Sequence, residues 1–564
     1  MMRRGRSVFA AAPLLLAGLL APSASAQDAP LFTRPFNGVP VPKEDKFLRI
    51  VPETAFDASD DHLRHLDPGG GPDALPANLP PRFTDATGIP GTTGMPVGAA
   101  FLAQFIDHDL DLTRERFDTF LIEPFVRNYV LIEGFFQNRR TPGFDLDPVY
   151  RIHPLDYPSD PNTIGPWDLS NLRFRLFMLP DGSADFFRGP GGLAIIGDAR
   201  NDLVGITAQI HRAFMKLHNR QVDRIIARER LDESTIEFQS DLWWDIFNEA
   251  RNYTTAYYQG IVCNEIATYL TGRTLYDALA DRIEPIGPLE APHGMLEFAE
   301  AGFRLHTLIP PLVQIGPDRF VSPVDDAQRQ GVSFDYLFGP TAPPAGRLDA
   351  GVAAPLRDIV GLFIPGNPLE ITLDLAQVNV LRGREVSLPS GEDYLQFLIA
   401  EIGQHPGASV IRDKLVLNPS TAPLVLDPVD DADLMADLVA GDTDLWAYVL
   451  IEAELNDGVL GPVGQDILER TWLNLLLADE WSLLGAPKGA FTRDQMAFFR
   501  SATFERLLSE VIDPADVNHD MVVNARDLSM ILAAWGTRNP DLDLDGSGLV
   551  DLGDVTALLA DWGV

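Results

Sequence analysis

Gln104, Asp107 and His108 stand at i, i+3 and i+4 of one apolar stretch. On a helix this spacing puts an amide, a carboxyl and an imidazole on one face. An imidazole so placed can take up and return a proton near neutral pH; it can equally be a hydrogen-bonded core histidine. Asp109 is turned about 100° from His108 and points elsewhere. A second group is Gly197-Asp198-Ala199-Arg200-Asn201-Asp202, just ahead of a helical stretch. An arginine at such a junction can bring a fixed positive charge into a cavity, or it can cap a surface network. A third is Phe303-Arg304-Leu305-His306-Thr307, followed by Pro310-Pro311, and a fourth runs from Asp374 through Asn379 to Arg382-Gly383-Arg384. Gly189-Pro190-Gly191-Gly192 lacks the strand–helix context of a dinucleotide loop. His211 and His218 read as structural, and His62, His65, His153, His293, His405 and His519 have no motif around them.

The C-terminus holds a repeat. Asp516, Asn518, Asp520, Asn524 and Asp527 place oxygen side chains at positions 1, 3, 5, 9 and 12 of a loop; Asp543, Asp545, Ser547, Asp551 and Asp554 do the same 27 residues on. A hard cation such as calcium needs six to eight oxygens around one point, and this spacing wraps a backbone about it. Each loop leads into an apolar helix ending in Trp-Gly, at Trp535 and at Trp562. The first copy has Met521 where the second has the sharp-turn Gly548. The pair resembles the dockerin module, over 513–564. So short a segment buries too little surface to fold without a staple, so calcium is expected to supply one. The module is expected to be unfolded without calcium and helical with it, and to be separable from catalysis. The two tryptophans are expected to pack together; a partner-binding surface is the alternative.

Larger elements must position the first four groups. Ile206, Ile210, Phe214, Leu217 and Ile225 recur near every 3.6 residues, which predicts a helix over 206–228. Helical spacing prevails from about 97 to 500, broken by irregular joints at 141–171 and 336–370, with no alternating strand series. The predicted fold is mainly α: a large helical domain over 27–510, then the small paired EF-hand-like module. Within the first, the Pro- and Gly-rich 27–95 reads as an arm wrapping a core. Apolar residues are 46% and charged residues 22% of the 564, a globular composition. A net charge of −37 argues against nucleic acid as a partner. The single cysteine, Cys263, leaves no intramolecular disulfide, zinc ribbon or Cys-ligated cluster. Residues 1–26 read as a signal peptide: Arg3, Arg4 and Arg6, a short apolar run, then Ala24-Ser25-Ala26. The run is too short for a transmembrane anchor. An exported protein, extracellular or at the periplasm or cell surface, is expected.

Taken in order, the four groups resemble the animal-type haem peroxidases of the peroxidase–cyclooxygenase superfamily. Arg140-Thr141-Pro142-Gly143-Phe144-Asp145-Leu146-Asp147-Pro148-Val149-Tyr150 and Asp444-Leu445-Trp446 through Leu460-Gly461-Pro462-Val463-Gly464 extend the resemblance, which covers roughly 85–500. It implies haem b as cofactor, with His306 as proximal iron ligand and Asn379 as acceptor of the other ring N–H. It implies His108 as distal base, Arg200 as distal cation, and Gln104 ordering distal water or halide. Arg382 would pair with a haem propionate. Asp107 could form one ester link to haem, but Leu203 stands where a second acid would be. A calcium ion beside the distal histidine is implied, held by Asp109, Thr141, the Gly143 carbonyl, Asp145 and Asp147. The implied activity is reduction of hydrogen peroxide by way of a ferryl intermediate, with oxidation of a small donor, halide or phenolic. The C-terminal module implies a protein partner. The spacing around His306 is that of the fatty-acid-oxygenating branch, yet Phe303 occupies the place of its radical-forming tyrosine. A fatty-acid dioxygenase or hydroperoxide-processing relative is one alternative; a non-catalytic secreted calcium-binding protein is the other.

Overall fold

A computed structural model describes residues 50–51, 94–111, 140–154, 165–178, 184–189, 192–281, 295–323, 332–349, 351–357, 359–360, 372–373, 375–403 and 443–562. The proposed signal peptide, nearly all of the arm, and His62, His65, His293 and His405 lie outside the described residues.

The helix carrying the first motif, α1 (Val97–Leu110), is buried almost all round. A helix apolar on every side belongs in the middle of a core. Gly98 lets its first turn sit on 337–338: a Cβ there would come within 2.5 Å of the Phe338 ring and 2.6 Å of the Leu337 carbonyl. The predicted helix over 206–228 is α2 (Gly205–Glu229), with Ile206, Ile210, Phe214, Leu217 and Ile225 all buried. It packs on α3 (Asp241–Ile261), where Phe214 meets Tyr258 at 5.5 Å and His218 meets Phe247 at 5.3 Å. Phe105 of α1 stacks on Phe214 at 5.2 Å, which ties the first motif to α2.

The proximal side is built from α4 (Leu375–Glu385), α5 (Leu445–Leu455) and α6 (Pro462–Ala478). A π-helical turn at Phe298–Gly302 precedes His306. Such turns recur where a helix must re-aim a side chain. Trp446 of α5 donates to the Arg304 carbonyl at 2.9 Å and fixes the strand of chain leading to His306. Helix α7 (Phe504–Val511) returns to α2 through Phe504 and Phe214 at 5.8 Å.

Strands among the described residues form three antiparallel two-stranded pairs: β1 (Phe177–Met178) with β2 (Ala184–Asp185), β3 (Val313–Gly316) with β4 (Arg319–Val321), and β5 (Ile359–Val360) with β6 (Thr372–Leu373). Their registers pair Phe177 with Asp185, Val313 with Val321 and Ile359 with Leu373. The fold is thus mostly helical, as the spacing predicts. No helix among the described residues is long and apolar enough to cross a membrane. Of the arm, the Ile50 and Val51 N–H groups reach the buried Glu297 carboxylate at 2.9–3.0 Å.

Beyond α7 come α8 (Ala525–Ala533) and α9 (Leu552–Ala560), one behind each C-terminal loop. They share a small core of Ala515, Val523, Ile531, Leu542, Val550 and Leu558. The boundary at 513 is bridged. Met521 is fully buried in the core of the large domain, and the Phe334 N–H donates to the His519 carbonyl at 3.0 Å. The first loop of the module is therefore joined to the large domain by packing as well as by the chain. Trp535 and Trp562 are half-exposed and make no ring contact with each other, so the expected tryptophan pair does not form. Each helix buries its opposite face, on Ile531 and Leu558, which leaves the terminal tryptophans outside.

Candidate active site

On the distal side His108 is buried on α1. Its Nδ1 lies 2.6 Å from the Asn201 Oδ1. Burial, reinforced by the Arg200 charge, pushes its pKa down to about 3, so the ring is neutral at neutral pH. Gln104 shares the face and accepts from the Thr207 hydroxyl at 3.3 Å. Arg200 heads the short helix Arg200–Leu203. Its Nη2 donates to the His108 carbonyl at 3.2 Å and to the Asp198 carboxylate at 2.8 Å. Asp198 also holds the buried Arg140. Burial would raise the Asp198 carboxyl, but Arg200 and Arg140 outweigh it and hold it below the usual range. The carboxylate thus stays charged and clamps Arg200 beside His108.

On the proximal side the Asn379 Nδ2, from α4, lies 3.1 Å from the His306 Nδ1. An NH2 group donates, so the amide as placed is not the acceptor that the resemblance implies, and it must turn end for end to put the ring proton on Nδ1 and leave Nε2 for a ligand. Burial and the nearby charges of Arg304 and Arg382 lower the His306 pKa to about 3. A neutral imidazole is what a metal needs. Arg382 is held by Glu300, at 2.6 Å and 3.1 Å, rather than reaching out alone. Arg304 joins Glu300 at 3.8 Å and Asp111, the C-cap of α1, at 3.2 Å. This chain of charges ties the distal helix to the proximal histidine.

Asp107 faces this cluster. Burial raises its carboxyl against the pull of Arg304, Arg200 and Arg382. Its Oδ1 and that of Asp111 are buried without hydrogen-bond partners. Such orphans are costly and point to a missing group. Leu203, at the place of a second linking acid, is exposed. Phe303 stacks on Phe298 at 4.9 Å and meets Trp472 edge-on at 5.4 Å.

Asp109 turns away from the His108 face, as the helical spacing predicts. It is fully buried and accepts from the Asp147 N–H at 2.6 Å and the Leu146 N–H at 3.3 Å. Thr141 donates to Asp147 from its backbone at 3.0 Å and its hydroxyl at 3.1 Å. Burial and the adjoining Asp145 and Asp147 raise the Asp109 carboxyl well above its ordinary value. The three acids thus share one buried place. Gly143 sits in the same turn, in open space.

In the first C-terminal loop Asp516 accepts from the N–H groups of Asp520 and Met521, and Asp527 from those of Asn518 and Asn524. In the second, Asp543 accepts from Ser547 and Gly548, and Asp554 from Asp545 and Asp551. Among the described residues Asp543, Asp545 and Asp554 form a group whose oxygens all lie within 4.8 Å of one another.

Asp198, Glu300, Arg304 and Asn201 complete the site without having been singled out by spacing. Asp198, Asn201 and Arg304 lie inside motifs already marked, and only the fold shows what they touch. His211, read as structural, lies 3.2 Å from the Asn201 amide. His218 is structural, held by Tyr150 and the Leu172 carbonyl.

A mainly helical fold that brings two buried histidines, each with an asparagine at its Nδ1, to one cluster of buried charges is of the peroxidase type. The chain belongs to the animal haem peroxidase family, whose model matches residues 183–522. It is similar to the chorion peroxidase of Aedes aegypti, 26% identical over 337 residues, which are 55% of this chain and 38% of that protein. It is also similar to a peroxidasin homolog of Caenorhabditis briggsae, 24% identical over 57% of this chain and 24% of that protein. The chain thus spans less than two-fifths of the length of these relatives. Peroxidase A from Dictyostelium discoideum shares the fold, with a TM-score of 0.54 and 16% identity over 77% of this chain and 89% of that one. The family match begins after α1 and the Thr141–Asp147 turn, so it covers Arg200, His306 and Asn379 but not Gln104, Asp107, His108 or that turn.

Proposed function

We propose that the chain is an exported haem peroxidase that reduces hydrogen peroxide and oxidises a small donor, halide or phenolic. The observation that carries this is the pairing of two neutral histidines, His108 with Arg200 beside it and His306 backed by Asn379. The cofactor fits the residues present once the Asn379 amide is reversed: Nε2 of His306 is then open, and the Asp107 Oδ1 is buried and unpartnered. His306 would hold the haem iron. Arg382 and Arg304 supply positive charge for the propionates, and Asp107 is placed for one ester link. The bound haem supplies the redox chemistry that takes electrons from the donor to peroxide.

His108 would take a proton from one peroxide oxygen and return it to the other, the work of one neutral imidazole. Arg200 stabilises negative charge as the O–O bond lengthens, and Asp198 keeps its guanidinium in place. Gln104 orders water or the small donor. Reversed so that its oxygen meets Nδ1, the amide of Asn379 would be a weaker acceptor than a carboxylate and would leave His306 a less anionic ligand.

Calcium at Asp109, Thr141, the Gly143 carbonyl, Asp145 and Asp147 would fix the end of α1 that presents His108. The two C-terminal loops would bind calcium as a dockerin-like module over 513–564, with a protein partner. Phe303 disfavours the fatty-acid dioxygenase alternative, since phenylalanine cannot form a tyrosyl radical.

The deciding experiment is an absorption spectrum of the purified protein, before and after peroxide, for wild type and His306→Ala. Wild type should show a Soret band that peroxide shifts, and the variant should lose the band or its native position. Full haem occupancy with an unchanged Soret band in His306→Ala would sink the assignment.

A further inference from the structure

Each histidine of the site meets an asparagine at its Nδ1. The proximal pair is implied by the family resemblance; the distal one is not. Asn201 is fully buried and its Oδ1 lies 2.6 Å from the His108 Nδ1. A carbonyl oxygen only accepts, so the proton of the neutral ring sits on Nδ1 and the Nε2 lone pair is left open. The other end of the same amide, Nδ2, lies 3.2 Å from the His211 Nδ1. An NH2 group donates, so His211 accepts there. His211 is itself fully buried, and its ring is set edge-on to Phe186 at 5.0 Å and to Phe105 at 5.8 Å. The amide is thus held at both ends, oxygen toward His108 and nitrogen toward His211.

We propose that Asn201 is the positioning residue of the distal site: held by His211, it fixes the tautomer and ring orientation of His108 so that Nε2 is left as the base. This rests on the functional reading above. Reversal of the amide would place its NH2 at His108 and move the ring proton to Nε2, which removes the base. Asn201 adjoins Arg200 in sequence, so one short helix supplies the distal cation and orients the distal imidazole. Residues that orient a group at a metal site in this way are typically worth about 10- to 100-fold when removed.

The test uses the haem-loaded full chain and the association rate of cyanide with the ferric protein. Hydrogen cyanide must give up its proton as it binds, so the rate reads the distal base without turnover. Four variants are compared, with Soret absorbance reporting haem occupancy and circular dichroism reporting fold. Asn201→Leu keeps the shape but loses the acceptor, and should slow association by about 10- to 100-fold at unchanged occupancy. Asn201→Asp keeps an acceptor oxygen in the same shape and should restore the rate to within a few-fold of wild type. His211→Leu frees the amide and should slow association to a smaller degree. His108→Leu is the reference for a lost base.

A wild-type rate in Asn201→Leu beside a slow His108→Leu overturns the proposal and leaves the functional reading standing. Equal slowing in Asn201→Leu and Asn201→Asp also overturns it, because packing and not the acceptor would then matter. A wild-type rate in His108→Leu overturns the functional reading, and the proposal with it. Should Asn201→Leu fail to fold, Asn201→Ser replaces it, being polar but about one bond too short to reach the ring. The same slowing is expected there, and a wild-type rate overturns the proposal.

Discussion

The two C-terminal loops have the same backbone and different surroundings. In each, the first aspartate accepts from the fifth and sixth N–H groups, and the last from the third and ninth. In each, the fourth and sixth residues are left-handed: His519 and Met521 at φ 55° and 72°, Gly546 and Gly548 at φ 68° and 88°. Glycine suits that region and methionine does not. The first loop nevertheless holds Met521 there, because its side chain is a knob in the core of the large domain. The second loop faces outward, with Ser547 and Gly548 exposed. Their acids differ as well. Asp516 is pushed up to about 8, by burial and then by Asp520 and Asp527, while Lys216 opposes the rise. Arg526 contacts Asp520 at 3.3 Å. The second loop clusters Asp543, Asp545 and Asp554. One loop is a joint that tolerates strain for packing; the other gathers three acids at the surface, where we propose a cation.

The largest expected effect is on chelation. With calcium removed, α9 should lose amide protection by on the order of 10²-fold, the protection that ligand at a hundred times its Kd confers. α8 should lose less, because Met521 and the Phe334–His519 contact still hold its loop. Hydrogen exchange of the full chain, read helix by helix, checks this. Equal loss in both helices would erase the distinction between joint and site.

Comparable in size is Met521→Ala. It removes a buried side chain and keeps a non-glycine residue at positive φ, so it should cost about 2–5 kcal/mol. Met521→Gly deletes more atoms yet relieves about 1–2 kcal/mol of left-handed strain. It should therefore be the milder variant. Denaturant unfolding of the large domain measures both. The reverse order would mean that Met521 is not strained in solution.

Gly548→Ala should cost only that strain, about 1–2 kcal/mol, since a Cβ there meets nothing within 4 Å. The loss should appear in the stability of the calcium-loaded module and not in that of the large domain.

The same division between local pattern and distant contact governs what the sequence reveals. Helix α2 is legible from Ile206, Ile210, Phe214, Leu217 and Ile225, because a helix repeats its contacts every 3.6 residues. The loops are legible because a cation fixes ligand spacing along the chain. His306 and Asn379 are legible only through the family resemblance. Asn201 sits inside a marked motif, but its partner His108 is 93 residues away, and no periodicity encodes that pairing. The same holds for Glu300 and Arg382, 82 residues apart. The bridged boundary at Met521 was hidden for another reason: composition changes near 513, and packing does not follow composition. The arm and the signal peptide lie outside the described residues.

The smallest expected effect concerns Trp535 and Trp562, one at the end of each helix. Their exposure, 50% and 41%, leaves little for either ring to lose on folding. Paired aromatic rings contribute about 0.5–1.5 kcal/mol beyond their burial. These two make no such contact, so the double-mutant cycle of Trp535→Ala and Trp562→Ala should give a coupling energy of about zero. Additivity for independent sites holds to about 0.3–0.5 kcal/mol, which sets the resolution of the measurement. A coupling clearly above that would bring the rings together in solution. It would then join the two loops through their helix ends, and the contrast between a seated loop and an open one would apply to the loops alone, not to the helices behind them.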